Sequence, residues 1–226
     1  MIRKIFRWIW KAMLWFFGLS IVSVIIFKWV PIPFTPLMIA RIIEFKLDGQ
    51  DAIYSHNWVP LEAISPNLQK AVIASEDGNF LNHSGFDFEA MQKAFKNNNK
   101  GKRIKGGSTI SQQTAKNVFL WQGRSYIRKG LEAYFTVLIE LIWGKERIME
   151  VYLNSIEMGN GVYGAQEAAR CWYSTTAIAL TPVQAAGIAA ILPNPRKFKA
   201  SNSSSYIERR KDRIMRVMRH IGKIKY

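Results

Sequence analysis

The sequence predicts a mainly α-helical protein, with a single transmembrane helix at its N-terminus and a helical domain behind it. Three observations carry that prediction. The sixteen residues from Ala12 to Phe27, AMLWFFGLSIVSVIIF, contain no charge. Beyond them, apolar residues recur at helical spacing behind residues that cap helices well. Strand-like alternation is scarce.

Extended to Trp8 and Val30, the apolar stretch reaches 23 residues, with Lys11 and Lys28 near its ends. A helix of about 20 residues crosses ~30 Å of hydrocarbon. Flanking Lys can snorkel, and Trp8, Trp10 and Trp29 suit the membrane interface. A cleaved signal peptide is the alternative, but its apolar region would be shorter and followed by small residues. The run ends instead in Lys28-Trp29-Val30-Pro31. Arg3, Lys4, Arg7 and Lys11 precede it, which places the N-terminus in the cytoplasm. The expected organisation is a cytoplasmic tail (1–11), an anchor (12–30), a juxtamembrane connector (31–57) and a domain over 58–226 outside the cytoplasmic membrane.

The stretch from Pro31 to Pro36 reads as a stiff, non-helical connector, and the apolar residues 37–43 after it remain close to the membrane. Ser65-Pro66 is an N-cap with Pro at the first helical position. Leu68, Ala71, Val72 and Ser75 then form one face of a helix ending near Glu76. Asp87 caps a helix to about Asn97. Residues 97–107 are polar, basic and glycine-containing, and read as a loop. Ser108 is the expected cap of a helix to about Asn117. Ser125 caps a long helix with Ile127, Leu131, Tyr134, Phe135 and Leu138 on one face. A helix over 145–154 ends in a glycine-rich stretch. Thr181-Pro182 opens an Ala-rich helix to about Leu192, and the last helix runs over about 205–221 with Ile207, Ile214, Met218 and Ile221 inward.

Composition narrows the chemistry. The chain has 32 Lys and Arg against 16 Asp and Glu, a net charge of +16. Such an excess points to a polyanion: nucleic acid, anionic lipid or a phosphate-rich substrate. A domain outside the cytoplasm argues against nucleic acid and for lipid. The single Cys171 excludes an internal disulfide and a Cys-based zinc site. The three His residues lack metal-ligand spacing.

Three clusters carry reactive groups. In the first, Glu76 and Asp77 sit at a helix C-terminus, where the dipole disfavours negative charge. Such a carboxylate suits a proton acceptor, although a solvated helix end reads the same way. The second, Gly106 to Asn117, surrounds a helix start whose free N–H groups suit an anion. It is not a Walker loop, because Gly-Lys-Ser/Thr is absent. Gln113 and Lys116 are neighbours on one helix face. In the third, Arg128 and Glu132 are four apart, as in an ordinary helical ion pair.

Read together, EDGNFLNHSGFD, GGSTISQQTAKN, RKGLEAYFTVLIE and KERIMEVYLNSIEMGNGVYG, in that order, closely resemble the successive motifs of the peptidoglycan glycosyltransferases. The resemblance runs from about Trp58 to about Pro195. It implies a lysozyme-like α-helical glycosyltransferase domain in the one-domain, membrane-anchored form of the family. By the same resemblance Glu76 is the catalytic base and Glu132 the second essential carboxylate. Asp77, Phe80 and His83 shape the first motif, and Thr109, Gln112, Gln113 and Lys116 form the second. Lys116, Arg124 and Arg128 fall where the family binds pyrophosphate. Three departures are small: Gly78 where a larger residue is usual, Gln184 for an expected acid, and Cys171-Trp172-Tyr173 at an aromatic pair.

The implied substrates are lipid II and the growing lipid-linked glycan at the cytoplasmic membrane. Moenomycin, a phosphoglycolipid that mimics the donor, is the implied inhibitor. No cofactor is implied as required; a divalent cation, Mg or Mn, at the pyrophosphate stays open, and no protein metal site is expected. Other cell-wall synthesis or division proteins are candidate partners. Two rival readings are a lysozyme-like lytic enzyme and a non-catalytic protein that binds an anionic polymer. A lytic enzyme must protonate a sugar leaving group and has no use for three cations. A polymer binder needs no ordered set of Glu76, Gln113, Lys116 and Glu132. A fused transpeptidase is excluded, since no Ser-x-x-Lys or Lys-Thr/Ser-Gly occurs.

Overall fold

A computed structural model describes residues 2–49, 51, 54–99, 107–123 and 125–226. It is mainly helical, with ten α-helices among the described residues. Helix α1, Ile2–Phe27, is long and apolar enough to cross a membrane. Most of it is exposed, but its last turns are held by the domain. Ser20 Oγ lies 2.7 Å from the Tyr134 hydroxyl, and the Trp143 indole donates to Val24 O at 2.7 Å. Arg147 Nη2 donates to Phe27 O at 2.9 Å and Val30 O at 2.7 Å. A cation thus satisfies carbonyls that a helix C-terminus leaves without partners.

The segment 31–57 is more than a connector. Residues 31–35 are irregular, as Pro-rich sequence requires. Helix α2, Pro36–Leu47, then starts at Thr35, whose Oγ1 accepts from Met38 N at 3.3 Å. Strand β1, Ser55–His56, joins a small sheet with β2, Glu157–Gly159, and β3, Val162–Tyr163. The order is β1-β3-β2, with β1 parallel and β2 antiparallel to β3. The Asn154 side chain locks this edge: its amide accepts from Val59 N at 3.0 Å and donates to Val59 O at 2.9 Å. The folded body therefore begins before residue 58. Sequence patterning misses these strands because two or three residues are too few to show a period of two.

Helix α3, Pro66–Glu76, begins at Ser65 as expected, and Asp87 caps α4, Phe88–Asn99, by accepting from Ala90 N at 2.8 Å. The next cap is Thr109 rather than Ser108. Its Oγ1 accepts from Gln112 N while Gln112 Oε1 accepts from Thr109 N, a closed capping box at the start of α5, Ile110–Phe119. Ser108 has Ser111 at the equivalent offset and cannot close such a box. Ser125 caps α6, Tyr126–Ile142, and α7 is Gly144–Ser155. Helix α8, Ala165–Tyr173, follows the glycine-rich stretch and is not among the helices expected from the sequence. Gly164 turns into it with φ +81°, and a Cβ there would stand 2.8 Å from Asn154 O, so only glycine fits.

Helix α9, Pro182–Ile191, is the centre of one half of the core, buried from Ala185 to Ile191. Its small side chains let α3 pack on it, together with α10, Ser205–Met218, through Ile207, Ile214 and Met218. Gln184, in place of an acid, closes the α9 cap by accepting from Thr181 N at 3.0 Å. In the other half α5 packs on α6 and α7. The C-terminal end of α3 meets the start of α5 between these halves.

Candidate active site

Glu76 is the last residue of α3. Its local partners differ from the uncompensated helix end expected from sequence. Oε1 accepts from Ser75 Oγ at 2.9 Å and from Arg210 Nη2 of α10 at 3.4 Å. Oε2 accepts from Gln113 Nε2 of α5 at 3.2 Å. Gln113 in turn accepts at Oε1 from the Tyr152 hydroxyl of α7 at 3.2 Å. Burial, followed by the charges of Glu76 and Asp77, drives the Tyr152 phenol well above its ordinary pKa of 10. Tyr152 is therefore a fixed donor at the end of a short chain leading to Glu76.

Asp77 points the other way and is structural. Its buried Oδ2 accepts from Ile110 N, the first residue of α5, at 2.9 Å. Both Asp77 oxygens lie 3.0 Å from His83 Nε2. Gly85 N donates to His83 Nδ1 at 3.1 Å, so Nε2 carries the ring proton and donates to Asp77. Thr109 Oγ1 donates to Gly85 O at 2.6 Å and closes the loop. Phe80 is fully buried, edge-on to His83, with Lys145 Nζ 4.7 Å from its ring centroid. Lys145 pairs with Glu140 at 2.6 Å, and Glu140 accepts from Ser111 Oγ. The first motif is thus tied rigidly to the start of α5.

The second carboxylate, Glu132 on α6, is 3 % exposed. Arg128 Nη1 approaches it at 3.3 Å, and Lys129 Nζ contacts its other oxygen. The simple i, i+4 pair is therefore a three-membered cluster. Lys116 of α5 is half-buried and makes no ion pair within 4.0 Å among the described residues. Burial lowers its pKa from the ordinary 10.5; Glu132 and Glu76 oppose that shift, and Arg128 and Lys129 add to it. These couplings place Lys116 in the electrostatic field of both acids. Arg124 lies outside the described residues, as do Gly106 and most of the expected loop before it.

The structure therefore brings Glu76, Gln113, Lys116, Arg128 and Glu132 into one electrostatic neighbourhood, and uses Asp77, Phe80, His83, Thr109 and Gln112 as its frame. Sequence reasoning missed Ser75, Lys129, Tyr152 and Arg210. Lys129 sits three residues from Glu132, a spacing that marks it in retrospect. Among the described residues no three His, Cys, Asp or Glu side chains converge as metal ligands. The one acid beside the cations, Glu132, already holds two of them.

A held carboxylate beside cations gathered on a second acid is an arrangement that suits transfer from an anionic leaving group, the work of a transferase on an activated donor. The comparisons agree: the chain belongs to the family of biosynthetic peptidoglycan transglycosylases. A family model described as Transglycosylase matches residues 47–219. A biosynthetic peptidoglycan transglycosylase of Pseudomonas syringae pv. syringae is 52% identical over 226 residues, covering 100% of this chain and 96% of the relative. One from Bacteroides thetaiotaomicron is 51% identical over 222 residues, 98% of this chain and 90% of the relative. One from Caulobacter vibrioides is 55% identical over 194 residues, 86% and 82% respectively. By that membership the chain is a glycosyltransferase.

Proposed function

We propose that this glycosyltransferase polymerises lipid II into β-1,4-linked glycan strands on the outer face of the cytoplasmic membrane, releasing undecaprenyl pyrophosphate. The observation that carries the reading is the pairing of a held carboxylate, Glu76, with a cation cluster of Lys116, Arg128 and Lys129 around Glu132. The acceptor's sugar 4-hydroxyl is a poor nucleophile until a base takes its proton, and Glu76 is that base. The oxygen attacks C1 of the growing strand, and the C1–O bond to pyrophosphate breaks. The leaving group departs as a stable anion, so no acid must protonate it. It needs counter-charge, which Lys116 and Arg128 supply. Glu132 holds Arg128 and Lys129 in place. A single displacement inverts the α-linked donor.

This donor set cannot hold a metal alone: one carboxylate, spent on two cations, leaves no ligand cluster. A Mg or Mn ion would have to arrive on the pyrophosphate itself. The helix α1 anchor keeps the enzyme where a lipid-borne substrate lies, with its N-terminus cytoplasmic and its domain outside. The exposed apolar side chains Ile39, Ile43 and Leu47 recur at four-residue spacing on α2 and extend that membrane contact. The test is incubation of the purified full-length protein with lipid II and, separately, with intact peptidoglycan. Consumption of lipid II into polymer is expected. Release of fragments from peptidoglycan, with lipid II untouched, would favour a lytic enzyme instead.

A further inference from the structure

The basic run on α10, Arg209-Arg210-Lys211 with Arg213 and Arg216, reads as a solvated face, and most of it is one. Lys211 pairs within its own helix with Glu208 at 2.5 Å. Arg210 differs. Ile207, Ile214 and Met218 form the buried stripe that seats α10 on α3 and α9. Arg210 lies three residues after Ile207 and four before Ile214, so it occupies the stripe itself. An apolar residue would pack there without desolvating a charge. Its guanidinium reaches across to α3: Nη2 donates to Ser75 Oγ at 2.9 Å and approaches Glu76 Oε1 at 3.4 Å. Of the α10 cations, it is the one that pairs with an acid of another helix among the described residues.

We infer that Arg210 is a positioning residue for the general base, an inference that rests on Glu76 having that role. Ser75 Oγ accepts from Arg210 and can then turn its single proton toward Glu76 Oε1, 2.9 Å away, rather than toward Ala189 O at 3.2 Å. Oε1 thus receives two donors, Ser75 and Arg210. Oε2 receives one, the Gln113 amide. The less saturated oxygen, Oε2, is the atom that takes the acceptor's proton. With contacts from α3, α5 and α10, the carboxylate cannot rotate to exchange its two oxygens without breaking all three.

The test uses full-length protein, lipid II and single-turnover kinetics, with moenomycin affinity beside them. Arg210→Gln should lower the rate constant by about 10–100-fold, the scale of a small misplacement of a reacting group. KM and moenomycin affinity should stay as they are. Arg210→Lys, which keeps the charge without the planar fork, should recover part of the loss. In a Glu76→Gln background, Arg210→Gln should cost nothing more. If Arg210→Gln fails to fold, Arg210→Lys and Ser75→Ala carry the same comparison. The inference is overturned by an unchanged rate, by an equal further loss in the Glu76→Gln background, or by a matching loss of moenomycin affinity. Failure of the underlying reading is separate and shows as near-normal turnover by Glu76→Gln alone.

Discussion

The Gln113 amide nitrogen donates to the Glu76 carboxylate at 3.2 Å, and the orientation of that amide is fixed from behind. Tyr152, fully buried and held protonated, donates to the amide oxygen at 3.2 Å, leaving only the nitrogen to face Glu76. Gln113→Glu would set a second carboxylate about 3 Å from the first, and two such groups do not both stay ionised. A loss of turnover of about 10²-fold or more is expected, read by lipid II consumption. Tyr152→Phe removes one donor and should cost about 1 kcal/mol of stability, with a milder fall in rate. Equal turnover in wild type and Gln113→Glu would remove Gln113 from the site.

Asp77 is expected to matter for a different reason. Its carboxylate joins the end of α3 to the first N–H of α5 and to His83. Asp77→Asn replaces charge-assisted bonds by neutral ones, with an amide N–H₂ forced against one of two donors. Each hydrogen bond to a charged group is worth about 1.5–3 kcal/mol, so a lower melting temperature is predicted together with lost activity. A variant that melts like wild type but is inactive would make Asp77 a reacting group instead.

Lys116 yields a pH prediction. Burial lowers its pKa below 10.5, so as pH rises it loses its proton earlier than an ordinary lysine. The neutral amine no longer attracts an anion. Moenomycin affinity should therefore decline on the alkaline side, beginning below the usual lysine range. Lys116→Arg keeps its charge there and should flatten the decline, even if binding is weaker overall. Titration calorimetry at several pH values measures both. An identical alkaline decline in the two proteins would assign it to another group.

Membrane contact is open to a direct test. The apolar run 118–121 is divided by the fold. Val118 and Leu120 are buried, and Trp121 alone is well exposed, at 51 %. The α2 side chains Ile39, Ile43 and Leu47 offer the larger exposed stripe. In a Cys171→Ser background, a fluorophore at Ile43→Cys should be quenched by nitroxide lipids after reconstitution. Lack of quenching would place α2 in water. For topology, a reporter fused after Tyr226 should be active only outside the cytoplasmic membrane, and cytoplasmic activity would reverse the orientation.

Much of this architecture is legible in the sequence because caps are local. Ser65-Pro66, Asp87, Ser125 and Thr181-Pro182 each announce a helix through their own side chains. Ser108 is the expected cap where Thr109 caps, although Gln112 three residues on is the signal that separates them. Helix α8 was not legible, because Gly164 starts it without a side-chain cap and the preceding glycines look like loop. The acids and the second-motif residues are marked by the resemblance of their motifs, and the structure brings Glu76, Gln113, Lys116 and Glu132 together. For Arg210 only half was legible: its spacing to Ile207 and Ile214 sets it on the inward stripe of its basic run, but nothing in the sequence names Ser75 and Glu76 as its partners. Tyr152 reads as one more buried aromatic until Gln113 is seen beside it. Both roles arise from helices that are distant in sequence and meet only in the fold.

In the proposed division of labour Glu76 takes a proton, and Glu132 with Lys116 and Arg128 holds an anion. Turnover of lipid II and moenomycin binding by calorimetry, measured side by side for Glu76→Gln, Glu132→Gln and Lys116→Ala, test it most directly. Glu76→Gln should lose ~10²–10⁴-fold in turnover with ligand affinity nearly intact. Glu132→Gln should lose affinity as well as rate, because Arg128 and Lys129 lose their anchor, and Lys116→Ala should lose both more severely. Near-normal turnover by Glu76→Gln, or intact affinity in both of the other variants, would contradict the account.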